Sequence, residues 1–177
     1  ACHPRDLVTD LVAVLDNEGV DSVTAWGYSL GAQHVTDLAS LAPSRVRSVV
    51  CGSGGLRGDE ADEVEQVKHV TELLRGPGGL EQFWAIIGWV GEERVSLGLS
   101  HNDPEALACF NEARPRWRPD ALPTSPALVY WGADEDVPAG TTDMLDALGI
   151  EHHEVPDADH VTAFEQTTEV LSFDEPF

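Results

Sequence analysis

The spacing of apolar residues changes three times in the first third of the chain, and each change predicts a new secondary-structure element. Residues 4–16 repeat apolar side chains at three- and four-residue intervals, which is typical of an amphipathic helix. Residues 20–26 are rich in β-branched side chains and predict a strand, residues 32–41 return to the helical interval, and residues 46–51 predict a second strand. A strand, a helix and a strand in this order form a βαβ unit, which implies parallel strands.

The rest of the chain alternates in the same way, with a long helical stretch between its second and third strands. Residues 80–90 are apolar on nearly all sides, so we expect a helix there that is buried or faces a pocket. The other predicted helices cover residues 64–74, 103–113, 141–148 and 161–171, and the other predicted strands cover residues 127–131 and 152–155. The whole pattern predicts one α/β domain over residues 1–177, with a mostly parallel sheet and flanking helices.

The chain is strongly acidic, with 32 Asp and Glu residues against 10 Lys and Arg residues and a net charge of −22 over 177 residues. Nucleic acids and anionic membranes would repel such a surface, so neither is an expected partner. No stretch approaches the roughly 20 apolar residues of a membrane helix, and the first residues lack the pattern of a signal peptide. We therefore expect a cytoplasmic protein.

Neither the cysteines nor the histidines suggest a bound metal. Cys2, Cys51 and Cys109 are odd in number and lack a C-x-x-C spacing, so we expect thiols rather than a disulfide framework or a thiolate metal site. Most of the seven histidines have no carboxylate or cysteine partner at metal-ligand spacing. The sequence predicts no metal ion and no cofactor.

The sequence GYSLG, residues 27–31, lies between a predicted strand and a predicted helix and places one serine between two glycines. This arrangement is typical of a nucleophile elbow, a sharp turn that exposes the serine at the carboxyl edge of a sheet. The turn requires neighbours without a Cβ, which Gly27 and Gly31 provide. The backbone N–H of Leu30 lies at the start of the helix, where it can donate to a developing oxyanion, and Tyr28 and Leu30 flank the nucleophile and shape its pocket.

A serine nucleophile needs a base, and the base needs an acid that orients it. His160 stands in VPDADHVTAF, between the last predicted strand and the last predicted helix, so we expect it in a loop at the same sheet edge. The acid should follow the third predicted strand, where YWGADEDVPAG offers Asp134, Glu135 and Asp136. The chain order is then Ser29, the acid and His160.

These motifs, together with PSRVRSVVCGS around the second strand, resemble the α/β-hydrolase superfamily and particularly its esterase-like and lactonase-like members. The resemblance implies that Ser29 attacks an acyl carbon, that His160 removes and returns a proton, and that the acid holds the imidazole in the useful tautomer. The family usually places its acid three residues after the glycine that ends the strand, which is Glu135 here. The sequence D-x-x-A-G matches related turns if one residue is inserted, and on that basis we favour Asp136 over Glu135 and Asp134.

The same resemblance implies a substrate class, a cap and a missing part of the fold. It predicts hydrolysis of a carboxylic ester, lactone or related acyl bond of a small apolar molecule, and a helical cap over residues 56–120. The early strands of the family, and the loop that supplies a second oxyanion N–H, have no counterpart in this chain. We therefore expect an N-terminally truncated α/β-hydrolase fold whose exposed sheet edge pairs with a second copy or with a complementing chain. The alternative is a catalytically inactive hydrolase-like domain with a binding or assembly role.

The acidic composition, in which Lys68 is the only lysine, also predicts that stability depends on salt, as in a halophilic protein. Molar salt shortens the range of charge repulsion to about 3 Å and so removes most of the self-repulsion of the chain. We expect the melting temperature to rise between dilute buffer and molar salt, as followed by circular dichroism. An unchanged melting temperature would contradict this interpretation.

Overall fold

The computed structural model describes residues 3–55, 63–113 and 125–173, and it contains a four-stranded parallel sheet. The strands lie side by side in chain order, and they are β1 (Val23–Tyr28), β2 (Val46–Gly52), β3 (Ala127–Gly132) and β4 (Glu151–Val155). Each strand runs parallel to its neighbours, so all four carboxyl ends meet at one edge of the sheet. This confirms the predicted fold class, an α/β fold with a parallel sheet and flanking helices.

Most helices lie close to their predicted positions. In chain order they are α1 (Pro4–Asn17), α2 (Leu30–Leu41), α3 (Glu63–Arg75), α4 (Gly79–Ile86), α5 (Glu92–His101), α6 (Pro104–Ala113), α7 (Thr141–Leu148), α8 (Thr162–Glu165) and α9 (Thr167–Phe173), with a 3-10 turn at Pro43–Arg45. The helix predicted over residues 161–171 is two helices, because Gln166 leaves the helical conformation. The helix predicted over residues 80–90 ends at Ile86, whose side chain is 61% exposed, so burial of this segment is a wrong expectation for its last turn.

Alternate side chains of β2 and β3 pack on opposite faces of the sheet, as the pleat of a strand requires. One face carries Val49 and Val129 and packs against α1, α2 and α7. The other face carries Val50 and Tyr130 and packs against α8 and α9. Because both faces are covered, the two central strands are apolar over most of their length, with Arg47 and Ser48 near the start of β2 as exceptions, and packing fixes their carboxyl ends relative to each other.

Residues 3–4 and 63–113 form one compact unit, and residues 5–55 with 125–173 form another. The apolar core of the first unit joins α3, α4 and α6 and consists of Leu74, Leu80 and Ala108. The second unit contains the sheet and both of its apolar faces. The role of residues 56–120 as a cap stays a prediction.

The cysteines only partly follow the expectation from the sequence. Cys51 is a buried thiol in the core of the sheet unit, whereas Cys109 is disulfide-bonded, so the expectation of a thiol is wrong at Cys109. An odd number of cysteines without a recognisable spacing does not reveal which of them form a disulfide. Disulfides are typical of oxidising compartments, and the cytoplasmic location stays a prediction. Within the described ranges, no helix is both long and apolar enough to cross a bilayer.

The turn between β1 and α2 depends on only one of its two glycines. A Cβ on Gly27 would meet the carbonyl oxygen of Gly31, so no larger residue fits there unless the backbone moves. The expectation that Gly31 also has to lack a Cβ is wrong, because a Cβ there would enter open space. Gly27 is therefore the residue that allows the helix to approach the end of the strand.

Substitution of these two glycines should have opposite effects on stability. We expect Gly27→Ala to lower the free energy of unfolding by more than about 3 kcal/mol, because backbone atoms have to shift. Gly31→Ala, the matched control, should raise it by up to about 1 kcal/mol, since alanine favours a helix over glycine. Urea denaturation of both variants gives the two values. Equal losses in both variants would contradict this account of the turn.

Candidate active site

Ser29 lies at the end of β1 with a backbone conformation that is rare for a residue with a Cβ. Its φ of 52° is in the left-handed region, and strain of this kind is concentrated at functional sites. The Ser29 N–H donates to the carbonyl of Gly52 at the end of β2, 2.7 Å away, which ties the turn to the neighbouring strand. A serine at a helix N-cap usually accepts a hydrogen bond from the first turn, but the Ser29 hydroxyl makes no such bond with α2.

The partner of this hydroxyl is His160, from the loop between β4 and α8. The Nε2 atom of His160 lies 3.1 Å from Ser29 Oγ, and its Nδ1 atom lies 2.8 Å from Glu135 Oε1. An ionised carboxylate can only accept a hydrogen bond, so Nδ1 carries a proton and Nε2 is left as the acceptor for the serine hydroxyl. A serine, a histidine and a carboxylate are thus joined in one series of contacts, and the serine and the histidine are 131 residues apart in sequence.

The acid that reaches the histidine is Glu135, so the choice of Asp136 is wrong as a statement about contacts. The Glu135 N–H donates to the carbonyl of Gly132, 2.9 Å away, and this tight turn shows that no residue is inserted after the strand. Asp136 has no hydrogen bond to His160 and lines a small cavity together with Glu135 and Trp131. The usual family spacing, three residues after the glycine, points to the carboxylate that contacts His160.

The environment of Glu135 holds its carboxyl in the ionised form. Burial by itself would raise the pKa, but the hydrogen bond from His160 and the nearby Ser53 hydroxyl outweigh it and lower the pKa below the ordinary value of 4.5. The side chains of Glu135 and His160 are only 13% and 25% exposed, so water screens their interaction weakly. A carboxylate that stays ionised in this position favours the Nδ1–H tautomer of the imidazole.

The loop that carries His160 is fixed by a turn that the sequence-based predictions missed. The Asp159 carboxylate accepts hydrogen bonds from the N–H groups of Val161 and Thr162 at 3.0 and 2.8 Å. Hydrogen bonds from the backbone and side chain of Thr162 are the main causes that lower the pKa of Asp159, and the bond from the Val161 N–H contributes less. In return Thr162 Oγ1 accepts a bond from the Asp159 N–H, at 2.8 Å. The signal in the sequence is an Asp followed three residues later by Thr at a helix start.

The acid loop and the histidine loop are joined directly through their backbones. The Asp134 N–H donates to the carbonyl of Ala158 at 2.9 Å, and the Ala133 N–H donates to Val155 at the same distance. A Cβ on Gly132 would meet the Ala158 carbonyl oxygen, so a glycine at the end of β3 allows the two loops to approach. Their contact sets the separation between Glu135 and His160.

The two residues that flank the nucleophile have different positions. Leu30 is the first residue of α2, and its N–H is one of those that have no acceptor inside the helix, as expected from the sequence. Tyr28 does not offer its hydroxyl to a pocket: it donates to the backbone carbonyl of His160, 2.6 Å away, and accepts a bond from Ser53. Sequence reasoning did not identify Ser53, whose only signal is its place in the glycine-rich stretch after β2.

No metal site accompanies this arrangement in the part of the chain that the structure describes. There, no group of three or more His, Cys, Asp or Glu side chains is arranged to hold a metal ion. The polar side chains around Ser29 are instead engaged with one another.

A serine, a histidine and a carboxylate lie together at the carboxyl edge of the parallel sheet. This combination is typical of a class of α/β proteins in which the three groups act as nucleophile, base and acid. Residues 2–173 match the model of the alpha/beta hydrolase family. The chain belongs to this family. Comparison with curated protein sequences finds no match.

Solved structures with the same fold have low sequence identity to this chain. The bottromycin epimerase BotH, in complex with bottromycin A2, is 19% identical with a TM-score of 0.76, and the match covers 96% of this chain and 68% of that one. A thermophilic esterase from Thermogutta terrifontis is 20% identical with a TM-score of 0.75, covering 96% and 69%. E-2-(acetamidomethylene)succinate hydrolase is 18% identical with a TM-score of 0.73, covering 100% and 74%. At these levels of sequence identity, the similarities show a shared fold.

The lowered pKa of Glu135 predicts a pH-dependent contribution to stability. A carboxyl whose pKa is lower in the folded state stabilises the protein above its unfolded value of about 4.5, and this stabilisation is lost as the pH falls through the folded value. Glu135→Gln should therefore cost about 1.5–3 kcal/mol at neutral pH, the usual contribution of a hydrogen bond to a charged group. The cost should shrink as the pH falls below 4.5. Urea denaturation at several pH values measures it, and a cost that does not change with pH would refute the assignment.

Proposed function

We propose that this protein is a serine hydrolase that cleaves a carboxylic ester, a lactone or a related acyl bond of a small apolar molecule. The observation that carries the proposal is the geometry of three side chains, with His160 Nε2 3.1 Å from Ser29 Oγ and His160 Nδ1 2.8 Å from Glu135. Both distances lie within the range at which proton transfer between a nucleophile and a base takes place. Family membership supports the same class of reaction.

In the proposed reaction, Ser29 Oγ attacks the acyl carbon while His160 Nε2 takes the hydroxyl proton. The carbonyl π bond opens, and its electron pair forms an oxyanion. When the carbonyl re-forms, the bond to the leaving alkoxide breaks and the imidazolium returns its proton to that oxygen. A water molecule then repeats the sequence on the acyl-serine, so that acid and alcohol are the products. Glu135 keeps the imidazole in its Nδ1–H tautomer and stabilises the imidazolium between the two proton transfers.

The oxyanion in this reaction needs hydrogen-bond donors that are already oriented. Leu30 is the candidate donor, because its N–H lies at the N-terminus of α2 beside the nucleophile. Loss of one such donor typically costs about 100- to 1000-fold in turnover. The helix dipole of α2 acts in the same direction, since its positive end lies next to Ser29.

An apolar substrate is supported by the aromatic surface beside the histidine. Phe164 is 54% exposed and packs on Tyr28, with ring centroids 5.2 Å apart, and Tyr28 in turn contacts the ring of His160. An exposed aromatic ring at this point offers an apolar contact to an acyl or alcohol group. The thermophilic esterase among the structural neighbours agrees with this class, whereas the epimerase among them shows that this fold does not by itself decide the chemistry.

The proposal is tested by labelling and turnover. A fluorophosphonate probe should modify Ser29 in the folded protein, and a p-nitrophenyl ester of a short fatty acid should be hydrolysed. Ser29→Ala should abolish labelling and lower turnover by roughly a million-fold. A folded protein that neither reacts with the probe nor turns over the ester would contradict the proposal and favour the alternative, a hydrolase-like domain with a binding or assembly role.

The identity of the acid is tested with two substitutions in the same turn. Glu135→Gln should lower kcat by roughly 10,000-fold, because an amide no longer holds the required tautomer and charge. Asp136→Asn is the matched control and should retain activity close to that of the unaltered protein. The reverse result, with Asp136→Asn inactive and Glu135→Gln active, would restore Asp136 as the acid.

A further inference from the structure

Tyr28 and Ser53 form a chain of hydrogen bonds that ends on the backbone of the histidine. Ser53 Oγ lies 2.7 Å from the Tyr28 hydroxyl, and that hydroxyl lies 2.6 Å from the carbonyl oxygen of His160. A carbonyl can only accept, so the phenol gives its single proton to His160 and accepts a proton from Ser53. The direction of the chain is therefore fixed, from Ser53 to Tyr28 to His160.

The ring of Tyr28 holds the imidazole from the side. Its centroid lies 5.5 Å from that of the His160 ring and 5.9 Å from that of Tyr130, with interplanar angles of 53° and 45°. Tyr28 thus contacts His160 twice, at the ring through packing and at the carbonyl through a hydrogen bond. Both contacts restrict the rotation that would carry Nε2 away from Ser29.

The hydroxyls of Tyr28 and Ser53 each donate a hydrogen bond to a defined acceptor. Burial is the main cause that raises the pKa of Tyr28, so the phenol stays protonated throughout the pH range of ester hydrolysis. Ser53 is only 3% exposed, and its φ of 47° places it in the left-handed region. Its N–H donates to the carbonyl of Tyr130 at 2.7 Å, which ties this strained residue to the end of β3.

Ser53 also connects the histidine to the acid. Its hydroxyl lies close enough to the Glu135 carboxyl to contribute to the lowered pKa of that group. Ser53 has a single proton, which goes to the phenol oxygen in this geometry, so the carboxylate is a second acceptor that competes for the same proton. The buried Ser53 therefore lies beside both neighbours of the imidazole, Tyr28 and Glu135.

We propose that Tyr28 is a positioning residue: its hydroxyl, oriented by Ser53, anchors the backbone of His160 so that Nε2 stays in line with Ser29 Oγ. This assigns Tyr28 a role other than the contact with substrate or oxyanion that the sequence suggests. The inference rests on the proposed function, because the alignment it describes matters for proton transfer from Ser29 to His160. The anchoring of the His160 loop can be measured even in a protein that does not turn over a substrate.

The test compares Tyr28→Phe with Tyr130→Phe. Both substitutions remove one phenol hydroxyl and keep the ring, but the Tyr130 hydroxyl accepts a bond from Trp26 and makes none with His160. We expect Tyr28→Phe to lower kcat for a p-nitrophenyl ester by about tenfold at unchanged KM, the equivalent of one lost hydrogen bond. Tyr130→Phe should leave both constants unchanged. Ser53→Ala keeps the Cβ and the strained backbone, and should lower kcat by a smaller factor because the phenol retains its own bond.

A second readout separates this inference from the proposed function. The proton on His160 Nδ1, bound to Glu135, gives a far-downfield NMR resonance when the imidazole is held in place. We expect this resonance to broaden in Tyr28→Phe and to persist in Tyr130→Phe, whether or not the protein turns over an ester. Persistence in Tyr28→Phe, or equal kinetic losses in the two phenylalanine variants, would overturn the positioning role. An inactive unaltered protein whose resonance broadens only in Tyr28→Phe would leave the positioning role standing while the proposed function fails.

Discussion

The site depends on how closely the backbone packs where the first three strands end. At each of these ends one chain segment approaches another so tightly that a Cβ would collide with a carbonyl oxygen. The absence of a Cβ at Gly27 lets the start of α2 approach, and its absence at Gly132 lets the histidine loop approach. A Cβ on Gly54 would lie 2.6 Å from the carbonyl oxygen of Ser29. The strain at Ser29 and Ser53 is stored at this same edge, where the packed sheet supports it.

The loop residues are then positioned mainly through backbone groups. The Asp159 carboxylate caps the turn after His160, and the carbonyl of Ala158 accepts the N–H of Asp134 from the acid loop. Backbone bonds of this kind leave few rotatable angles between one strand end and the next, so the distance between acid and base varies little. The side chains of Glu135 and His160 complete the arrangement in a region that is largely shielded from water.

The sequence was sufficient to predict the parallel sheet and that Ser29 and His160 meet at its edge, because each of these depends on local patterns. Strand and helix periods are visible over about ten residues, and Ser29 and His160 each have a recognisable position at a strand end. The carboxylate partner of His160 was not predictable in the same way, since three adjacent carboxylates compete and the geometry of one turn brings Glu135 to the histidine. The role of Ser53 depends on two contacts distant in sequence, which no local pattern encodes.

The net charge of −22 poses a question for any reaction that passes through an oxyanion. Surface carboxylates distributed over the whole chain act over distances at which salt screens them, whereas the N-terminus of α2 lies directly beside Ser29. A helix N-terminus contributes the equivalent of about half a positive charge at short range. Because electrostatic energy falls with distance and with screening, the local dipole outweighs the distant surface carboxylates at Ser29. A distant acidic surface is therefore compatible with the proposed oxyanion chemistry, and the turn at Ser29 matters for its position at the helix end as much as for its exposure.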